Sequence, residues 1–267
     1  MLFISPPFGN YFGLLFNSTN IQPIYGTYTK KQRTGLIKQI YNTLHYSNQY
    51  NGWVNRIGLR NPGIMYAIQK QYGINNGIVS IAIKDSNDIN YYLQQIPSKT
   101  NIEINISCPN TNVIFINDIK KFLNPSRKWC IVKLSPIDKN EKIDTLYKIG
   151  FRQFHCCNTL PLYKSIENNN EIVIGDNSSI KNKSLTLVGG LSGPSLIPYV
   201  KEKITYIKST YPDTTVIAGG GIHDIDTLLY YKQLGADHFS ISSLCFSPLK
   251  LLVFFYNYNQ FVKERNK

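Results

Sequence analysis

The sequence is poor in cysteine, and its few cysteines form no recognisable metal-binding or disulfide pattern. The 267 residues include five cysteines with no C-x-x-C spacing, and Cys156 and Cys157 are adjacent. Adjacent cysteines have poor geometry for a zinc or iron–sulfur site. An odd number of cysteines without paired spacing is typical of a reducing compartment. We therefore expect a cytoplasmic protein without a metal centre.

Long apolar runs are also missing. The chain shows no charged segment followed by an apolar core at its start, and no apolar run of membrane-spanning length. The G-x-G-x-x-G fingerprint follows no early strand, which argues against a nicotinamide dinucleotide site. These absences predict a soluble protein with no membrane contact. Hydrophobic residues make up 42% of the chain, which is enough for a sizeable core.

Acidic residues are scarce relative to basic ones, because 16 Asp and Glu stand against 29 Lys and Arg, giving a formal net charge of +13. The nearest approaches to basic clusters are Lys30, Lys31 and Arg33, and then Lys120, Lys121, Arg127 and Lys128. Neither group has the interleaved aromatic residues of a single-strand binder. We expect no nucleic-acid partner, since a basic surface would equally attract an anionic substrate or a phosphate-bearing cofactor.

What is present is an alternation of strand-like and helical segments. Short runs rich in β-branched residues predict strands at 1–5, 21–25, 77–83, 102–107, 130–134, 151–157, 214–220 and 237–242. Helical patterns lie at 62–71, 86–95, 117–123, 138–148, 195–210, 225–234 and 250–263. This order predicts a parallel (β/α)8 TIM barrel, with a doubly wound sheet as the alternative. Residues 161–187 form an excursion after the sixth strand. No linker marks a second domain, so we expect one domain over residues 1–267.

Polar residues and glycines follow the predicted strands where a barrel would gather them, because the carboxyl ends of all its strands face one site. They are Asn105, Cys108 and Asn110 after the fourth strand, Lys133 in the fifth, Asn158 and Thr159 after the sixth, GGLSG (189–193), GGG (219–221), and Ser242 and Ser243 after the eighth. Glycines let backbone N–H groups approach an anion closely, so the two glycine clusters predict a phosphate site, although each alone is typical of a tight turn. A lysine in a buried strand is unfavourable without a partner. We expect Lys133 to face an anion or an electron-rich ring at the barrel mouth, or else to lie in solvent on an edge strand.

The same segments, taken in order, resemble those of a known family. They are SPPFG (5–9), NRIGLRNPG (55–63), EINISCPN (103–110), VKLSP (132–136), CNTL (157–160), GGLSGPS (189–195) and AGGGI (218–222). Each motif is modest alone, but the ordered set is similar to the dihydroorotate dehydrogenases, and most similar to their class 1B catalytic subunit. The resemblance implies an FMN-containing (β/α)8 barrel that oxidises dihydroorotate to orotate in pyrimidine synthesis, with hydride transfer to the flavin.

The resemblance also implies a role for each site residue. Cys108 matches the general base that removes the C5 proton of the substrate. The residues that match substrate contacts are Asn55, Gly58, Leu59, Asn105, Asn110, Asn158 and Thr159. The residues that match FMN contacts are Ser5, Asn105, Lys133, Gly193, Gly220 and Gly221, while Ser242 and Ser243 replace a Gly–Thr phosphate pair. A homodimer and an electron-transfer partner are further expectations from the family.

Two positions depart from the family pattern. Counting along the chain places Gly26 where the family has a lysine that contacts flavin and substrate, with Lys30 and Lys31 nearby as replacements. It places Ile81 where the family has a flavin-facing asparagine. Two alternatives therefore stay open. One is FMN-dependent oxidation of another dihydropyrimidine or small ring, and the other is a barrel that has lost its chemistry and serves as a binding protein.

Overall fold

Eight parallel strands close into a barrel. The computed structural model describes residues 1–12, 20–74, 76–106, 116–165, 172–174 and 185–265. The strands are β1 (Leu2–Ile4), β2 (Ile21–Tyr28), β3 (His45–Ser47), β4 (Gly52–Asn55), β5 (Ile78–Ala82), β6 (Ile102–Asn105), β7 (Cys130–Leu134), β8 (Gln153–Cys156), β9 (Leu160–Ser165), β10 (Ile172–Ile174), β11 (Leu185–Ser192), β12 (Thr215–Gly219) and β13 (His238–Ile241). The barrel order is β1–β13–β12–β8–β7–β6–β5–β2, with parallel neighbours throughout. The predicted (β/α)8 barrel is confirmed, and the doubly wound alternative is wrong.

Helices follow the barrel strands. They are α1 (Gly9–Phe12), α2 (Leu36–Thr43), α3 (Ile64–Gln69), α4 (Ser86–Gln95), α5 (Ile116–Ile119), α6 (Asn140–Lys148), α7 (Ile197–Thr210), α8 (Ile225–Gln233) and α9 (Pro248–Arg265). Helix α8 is capped by Asp224, whose carboxylate accepts a hydrogen bond from the Thr227 backbone N–H at 2.8 Å. Helix α7 begins two residues later than predicted because a 3₁₀ turn at Pro194–Leu196 precedes it. The short α1 and the exposed α2 were not predicted.

A second, antiparallel sheet lies beside the barrel. Its strand order is β10–β9–β11–β4–β3. The predicted excursion supplies β9, β10 and β11, so its position after the sixth barrel strand is confirmed. The hairpin of β3 and β4, which was not predicted, extends the sheet, because β4 pairs with β11. The sheet joins the segment before residue 55 to the segment that leads into α7.

The barrel interior has two layers of different chemistry. We call the lower one the apolar layer; it comprises Phe3, Ile24, Ile78, Trp129, Ile131 and Ile217, which form one buried cluster. We call the next one the polar layer; it comprises Ser5, Thr27, Ser80, Glu103, Lys133, His155 and Ser240. Its members form two connected sets, the pair of Ser5 and Ser240, and the other five residues around Glu103. Glu103 on β6 contacts His155 on β8 although β7 lies between these strands, so the contact crosses the barrel interior. The site therefore lies above a polar, not an apolar, floor.

Candidate active site

Three adjacent strand ends bring predicted site residues together at the carboxyl end of the barrel. Asn105 ends β6 and lies beside Lys133 of β7 in the strand register. The Asn158 side-chain amide, just past β8, donates to Asn105 Oδ1 at 3.3 Å. The Asn158 backbone N–H donates to Leu134 O at 2.8 Å, which fixes the segment after β8 to the end of β7. The structure thus joins Asn105, Lys133 and Asn158 in one group.

Lys133 is buried and lies next to a carboxylate. Only 6% of the residue is exposed, and Nζ lies 3.6 Å from Glu103 Oε1. Burial alone would raise the pKa of the Glu103 carboxyl, but the Lys133 charge and hydrogen bonds from two neighbours hold it at about 2. Glu103 is therefore an ionised counter-charge to Lys133. The alternative of a solvent-exposed edge lysine is wrong.

His155 is the second partner of this carboxylate. Its Nδ1 lies 2.5 Å from Glu103 Oε2. Burial and the Lys133 charge lower the pKa of His155 below its usual value, although Glu103 acts in the opposite direction. The imidazole is therefore neutral near pH 7, and the short contact is a hydrogen bond from Nδ1–H to an ionised carboxylate. A Cβ at Gly219 would contact the same ring, so the first glycine of GGG makes room for His155.

Asn55 and Thr159 form a neighbouring group around Gly190. The Asn55 side chain donates to Gly190 O at 3.5 Å, and the two residues are paired across β4 and β11. The Thr159 side chain packs against Gly190. The Thr159 backbone N–H donates to Asn158 Oδ1 at 2.9 Å, so this group is continuous with the one at the ends of β6 to β8. The second sheet therefore carries one of the predicted substrate contacts, Asn55, and begins one residue after another, Thr159.

The predicted glycine clusters meet, as a phosphate site requires. Gly221 has φ +86°, and a Cβ there would lie 2.6 Å from Ile197 Cγ1 and 3.3 Å from Gly193 O, so only glycine fits. Among the described residues, the backbone N–H groups of Gly220 and Gly221 donate to no acceptor. Two unpaired, closely approachable N–H groups are suited to an anion.

The predicted serines lie on the other side of the mouth. Ser5 is buried and its Oγ lies 2.6 Å from Ser240 Oγ, so it belongs to the polar layer. Ser242 donates from Oγ to Pro6 O at 3.2 Å. Ser243 begins a 3₁₀ turn that runs to Phe246. The structure thus brings the ends of β1 and β13 together.

Other predicted residues are not joined to these groups. Gly58 and Leu59 lie on the segment between β4 and α3 with φ +67° and +56°, and Gly58 is exposed. The Asn61 side chain holds this segment, since its amide donates to Leu59 O at 2.7 Å and its Oδ1 accepts from the Gly63 backbone N–H at 2.8 Å. Cys108 and Asn110 lie outside the described residues.

The structure bears on the two positions that depart from the family pattern, Gly26 and Ile81. Gly26 has φ +108°, and a Cβ there would lie 2.6 Å from Ser80 O, so a lysine does not fit at this position. Ile81 packs into the core between strands and helices, whereas Ser80 faces the interior, so the placement of a flavin-facing residue at Ile81 is wrong. Lys30, just beyond β2, places Nζ 4.8 Å from the ring centroid of Tyr91 on α4.

Comparison with known proteins agrees with this arrangement. The family model described as dihydroorotate dehydrogenase matches residues 23–250, which include every barrel strand except β1 and part of β2. The chain belongs to the dihydroorotate dehydrogenase family. The predicted family is therefore confirmed, and the groups described above lie within the matched part, apart from Ser5.

Several bacterial relatives carry the name dihydroorotate dehydrogenase B (NAD(+)), catalytic subunit. The Petrotoga mobilis protein is 30% identical over 204 residues, which cover 69% of this chain and 64% of that protein. The Thermotoga maritima protein is 25% identical over 211 residues, 72% of each chain. The Halalkalibacterium halodurans protein is 24% identical over 262 residues, 89% of this chain and 77% of that one. The chain thus spans just under two thirds of the Petrotoga relative and is a divergent member of the dihydroorotate dehydrogenase family.

Two residues below the site, Glu103 and His155, were not predicted from the sequence. Glu103 lies two residues before Asn105, in the same inward phase of β6, and Lys133 was already recognised as needing a partner. Glu103 could therefore have been predicted as an inward-facing carboxylate on the strand next to Lys133. For His155 no local signal stood out, because its bonding partner is 52 residues away.

Other features of the described residues bear on the site. No helix among them is long and apolar enough to span a bilayer. They contain no group of three or more His, Cys, Asp or Glu side chains that could hold a metal ion. A cavity of about 380 Å³ opens where β12 and β13 begin, beside Thr215 and His238. Because that is the opposite end of the barrel from Asn105 and Lys133, this cavity is not the candidate active site.

Proposed function

We propose that this chain is a catalytic subunit that oxidises dihydroorotate to orotate with a bound FMN. The observation that carries the proposal is the joint placement of Asn105, Lys133 and Asn158 at one end of the barrel, in a chain of the dihydroorotate dehydrogenase family. Amide groups and a cation at adjacent strand ends suit a planar, polar ring. The glycine pair at Gly220 and Gly221 supplies the phosphate end of the same mouth.

The described residues fit FMN at both of its ends. Gly220 and Gly221 offer backbone N–H groups that need an acceptor, and Gly193 lies against them. At the other end, Lys133 Nζ lies 3.6 Å from Glu103 Oε1, which is longer than a hydrogen bond, so its N–H groups would be available to a bound ring. When bound, FMN would supply the hydride acceptor for the C6 position of the substrate. Ser5, Ser242 and Ser243 complete the proposed cofactor contacts.

The chain's own residues would orient the substrate and take its proton. Asn105, Asn158 and Thr159 would hold the pyrimidine ring by hydrogen bonds, together with Asn55 and Asn110. Cys108 would receive the C5 proton as general base, a role carried over from the family motif SCPN. A thiol with a usual pKa of about 8.5 needs a polar, partly dry setting to act near neutral pH. Gly58 and Leu59 would contact the substrate from the segment between β4 and α3.

The names of the relatives suggest where the electrons go. Those proteins are named as NAD(+)-linked catalytic subunits, a term that implies a second subunit. We propose that this chain likewise passes electrons to a partner subunit and that it forms a homodimer. The cytoplasmic setting predicted from the cysteines remains a prediction.

One observation favours a second candidate, the FMN-dependent oxidation of a ring without a carboxylate. Strand β2, from which the family's substrate-binding lysine would come, contains no lysine, and Nζ of Lys30 beyond it lies 4.8 Å from the ring centroid of Tyr91. A substrate carboxylate would lose a charged hydrogen bond, worth about 1.5–3 kcal/mol. The pocket then has less reason to prefer orotate over an uncarboxylated pyrimidine.

The experiment is anaerobic reduction of the purified chain. We expect bound flavin to absorb in the visible range and to be released by denaturation as FMN, identified by mass. Dihydroorotate should bleach this absorbance, whereas dihydrouracil and dihydrothymine should do so more slowly. Faster bleaching by the uncarboxylated rings would establish the second candidate. A colourless chain that takes up no FMN would refute both and favour a binding protein.

A further inference from the structure

The proposed reaction gives no role to the carboxylate and imidazole below Lys133. We propose that Glu103 and His155 are positioning residues for Lys133: the carboxylate fixes the ammonium group at the floor of the site and offsets its charge, and the imidazole fixes the carboxylate. This inference rests on the proposed function, since it assigns a consequence to the ring that Lys133 would meet.

The geometry of Glu103 leaves it little freedom. The residue is fully buried, and each carboxylate oxygen has a partner. Oε1 accepts from Ser80 Oγ at 2.8 Å and lies 3.6 Å from Lys133 Nζ, while Oε2 accepts from His155 Nδ1 at 2.5 Å. Because the partners come from β5, β7 and β8, the carboxylate is held from three strands at once. A side chain bonded in this way can hold Lys133 in a single place.

The charges of the cluster follow from the same contacts. Lys133 carries +1, the ionised Glu103 carries −1, and His155 is neutral, so the three side chains sum to zero. A ring above Lys133 therefore meets a dipole with its positive end outwards, rather than an isolated cation. The field that favours electron uptake by the ring is weaker than that of an uncompensated lysine. Glu103 would thus set how strongly Lys133 favours the reduced flavin.

His155 supplies the only nitrogen donor that the described residues direct at Oε2 of Glu103. Its neutral state matters, since a protonated ring would add a second positive charge beneath the flavin. The titratable groups that affect it are Lys133 on β7 and Glu103 on β6, both in the polar layer. The absence of a side chain at Gly219 on β12 leaves space for the ring.

The first test measures the midpoint potential of the bound flavin by anaerobic spectroelectrochemistry. Lys133→Met should lower the potential, Glu103→Gln should raise it, and the double variant should lie between the two. A role in packing alone would shift both single variants in the same direction or neither. Ser80→Ala is the matched control, because it removes an uncharged hydrogen bond from the same carboxylate and should shift the potential least. An unchanged potential in Glu103→Gln, beside a clear shift in Lys133→Met, would overturn the proposal.

A pair of substitutions at residue 155 tests the imidazole. Asparagine can place an amide N–H near the position of Nδ1–H, whereas leucine cannot. His155→Leu should weaken FMN binding by about tenfold, and His155→Asn should restore most of that loss. Equal weakening in both variants would mean that the ring only fills space and would overturn the role of its hydrogen bond.

A final measurement needs no flavin. In protein labelled with ¹⁵N-histidine, the ring shifts of His155 should show a neutral ring with the proton on Nδ1 at pH 7. Lys133→Met should raise the pKa of His155 and Glu103→Gln should lower it. A His155 that titrates identically in all three proteins would overturn the cluster. A wild-type chain without flavin would instead refute the proposed function and the flavin part of this inference, while this titration still decides the coupling.

Discussion

The apolar and polar layers of the barrel interior are built by the same strands, two residues apart. Ile78 is followed in phase by Ser80, Ile131 by Lys133, and Phe3 by Ser5. One step of the strand alternation therefore separates side chains that only fill the barrel from side chains that are polar or charged. Burying charge destabilises a fold unless every group is paired, and paired burial is often no better than apolar packing. Packing stability is enough to explain the residues of the apolar layer, whereas the buried charges of the polar layer call for a functional explanation.

The largest expected effect is that of the proposed general base, which would act on the substrate side of the polar layer's Lys133. Cys108→Ala should slow flavin reduction by dihydroorotate by roughly 10²–10⁴-fold, because a positioned base contributes about that much. Cys108→Ser should retain part of the activity with an optimum at higher pH, since a hydroxyl is the weaker acid. Stopped-flow absorbance of both half-reactions measures this, and reoxidation of chemically reduced flavin is the internal control. Equal reduction rates in wild type and Cys108→Ala would remove Cys108 from the mechanism.

The apolar layer should respond in stability alone. Ile131→Ala removes a fully buried side chain and should lower the free energy of unfolding by about 2–5 kcal/mol. Flavin reduction per folded molecule should stay near that of the wild type. Ile37→Ala, on a side chain that is 83% exposed, is the control and should cost less than about 0.5 kcal/mol. A large change in the rate of Ile131→Ala would mean that the two layers are not separable.

The polar layer should make stability depend on pH. The pKa of Glu103 is about 2 in the folded chain against 4.5 for the ordinary group, so its stabilisation is present above pH 4.5 and is lost as pH falls towards 2. The destabilisation caused by Glu103→Gln should be on the order of 3 kcal/mol at pH 7 and about 1 kcal/mol smaller at pH 3.5. Denaturant unfolding at the two pH values measures it. A difference that does not vary with pH would show that the folded carboxyl is not ionised.

The smallest expected effect is on stability, at a helix N-cap that lies outside both layers. Asp224→Ala removes the N-cap of α8 and should lower the free energy of unfolding by about 1 kcal/mol. Asp226→Ala, two residues further into the same helix, is the matched control and should cost only a few tenths of that amount. Thermal and denaturant unfolding of the two variants give the comparison. A loss in Asp226→Ala as large as that in Asp224→Ala would show that charge, rather than the cap, stabilises the helix.

The barrel could be predicted from the sequence because its strands are local patterns. Each is a short β-branched run bounded by turn residues, and all eight runs form strands. The hairpin of β3 and β4 escaped prediction since His45 and Tyr46 are exposed, so no alternation marks them. Its partner β11 also lies about 130 residues away in the chain. Even so, the pair Asn51–Gly52, which joins the turn to β4, is a typical hairpin signal.

Residue-by-residue alignment failed where a strand is irregular. Tyr25 of β2 pairs with Val79 of β5, yet Tyr28 pairs with Ile81. Strand β2 therefore contains one extra residue between these two pairs, which is a β-bulge. Gly26 lies within this bulge. Because counting assumes a regular strand, it shifted the expected inward position in this part of the barrel. The resemblance therefore located the strand ends well, but it could not fix which residues of β2 and β5 face inwards.

Gly219 and His155 share one space, and this has a consequence for how the sequence can change. A Cβ at position 219 would contact the imidazole and lie 3.1 Å from Ser240 Cβ, so even alanine is excluded while histidine occupies position 155. A histidine at position 155 therefore requires a glycine at position 219. In the reverse direction, position 219 becomes free only after the ring is lost. The two sites form an epistatic pair: a library that varies residue 219 alone should recover only glycine, whereas a library that varies both residues should also recover larger residues at 219 beside smaller ones at 155.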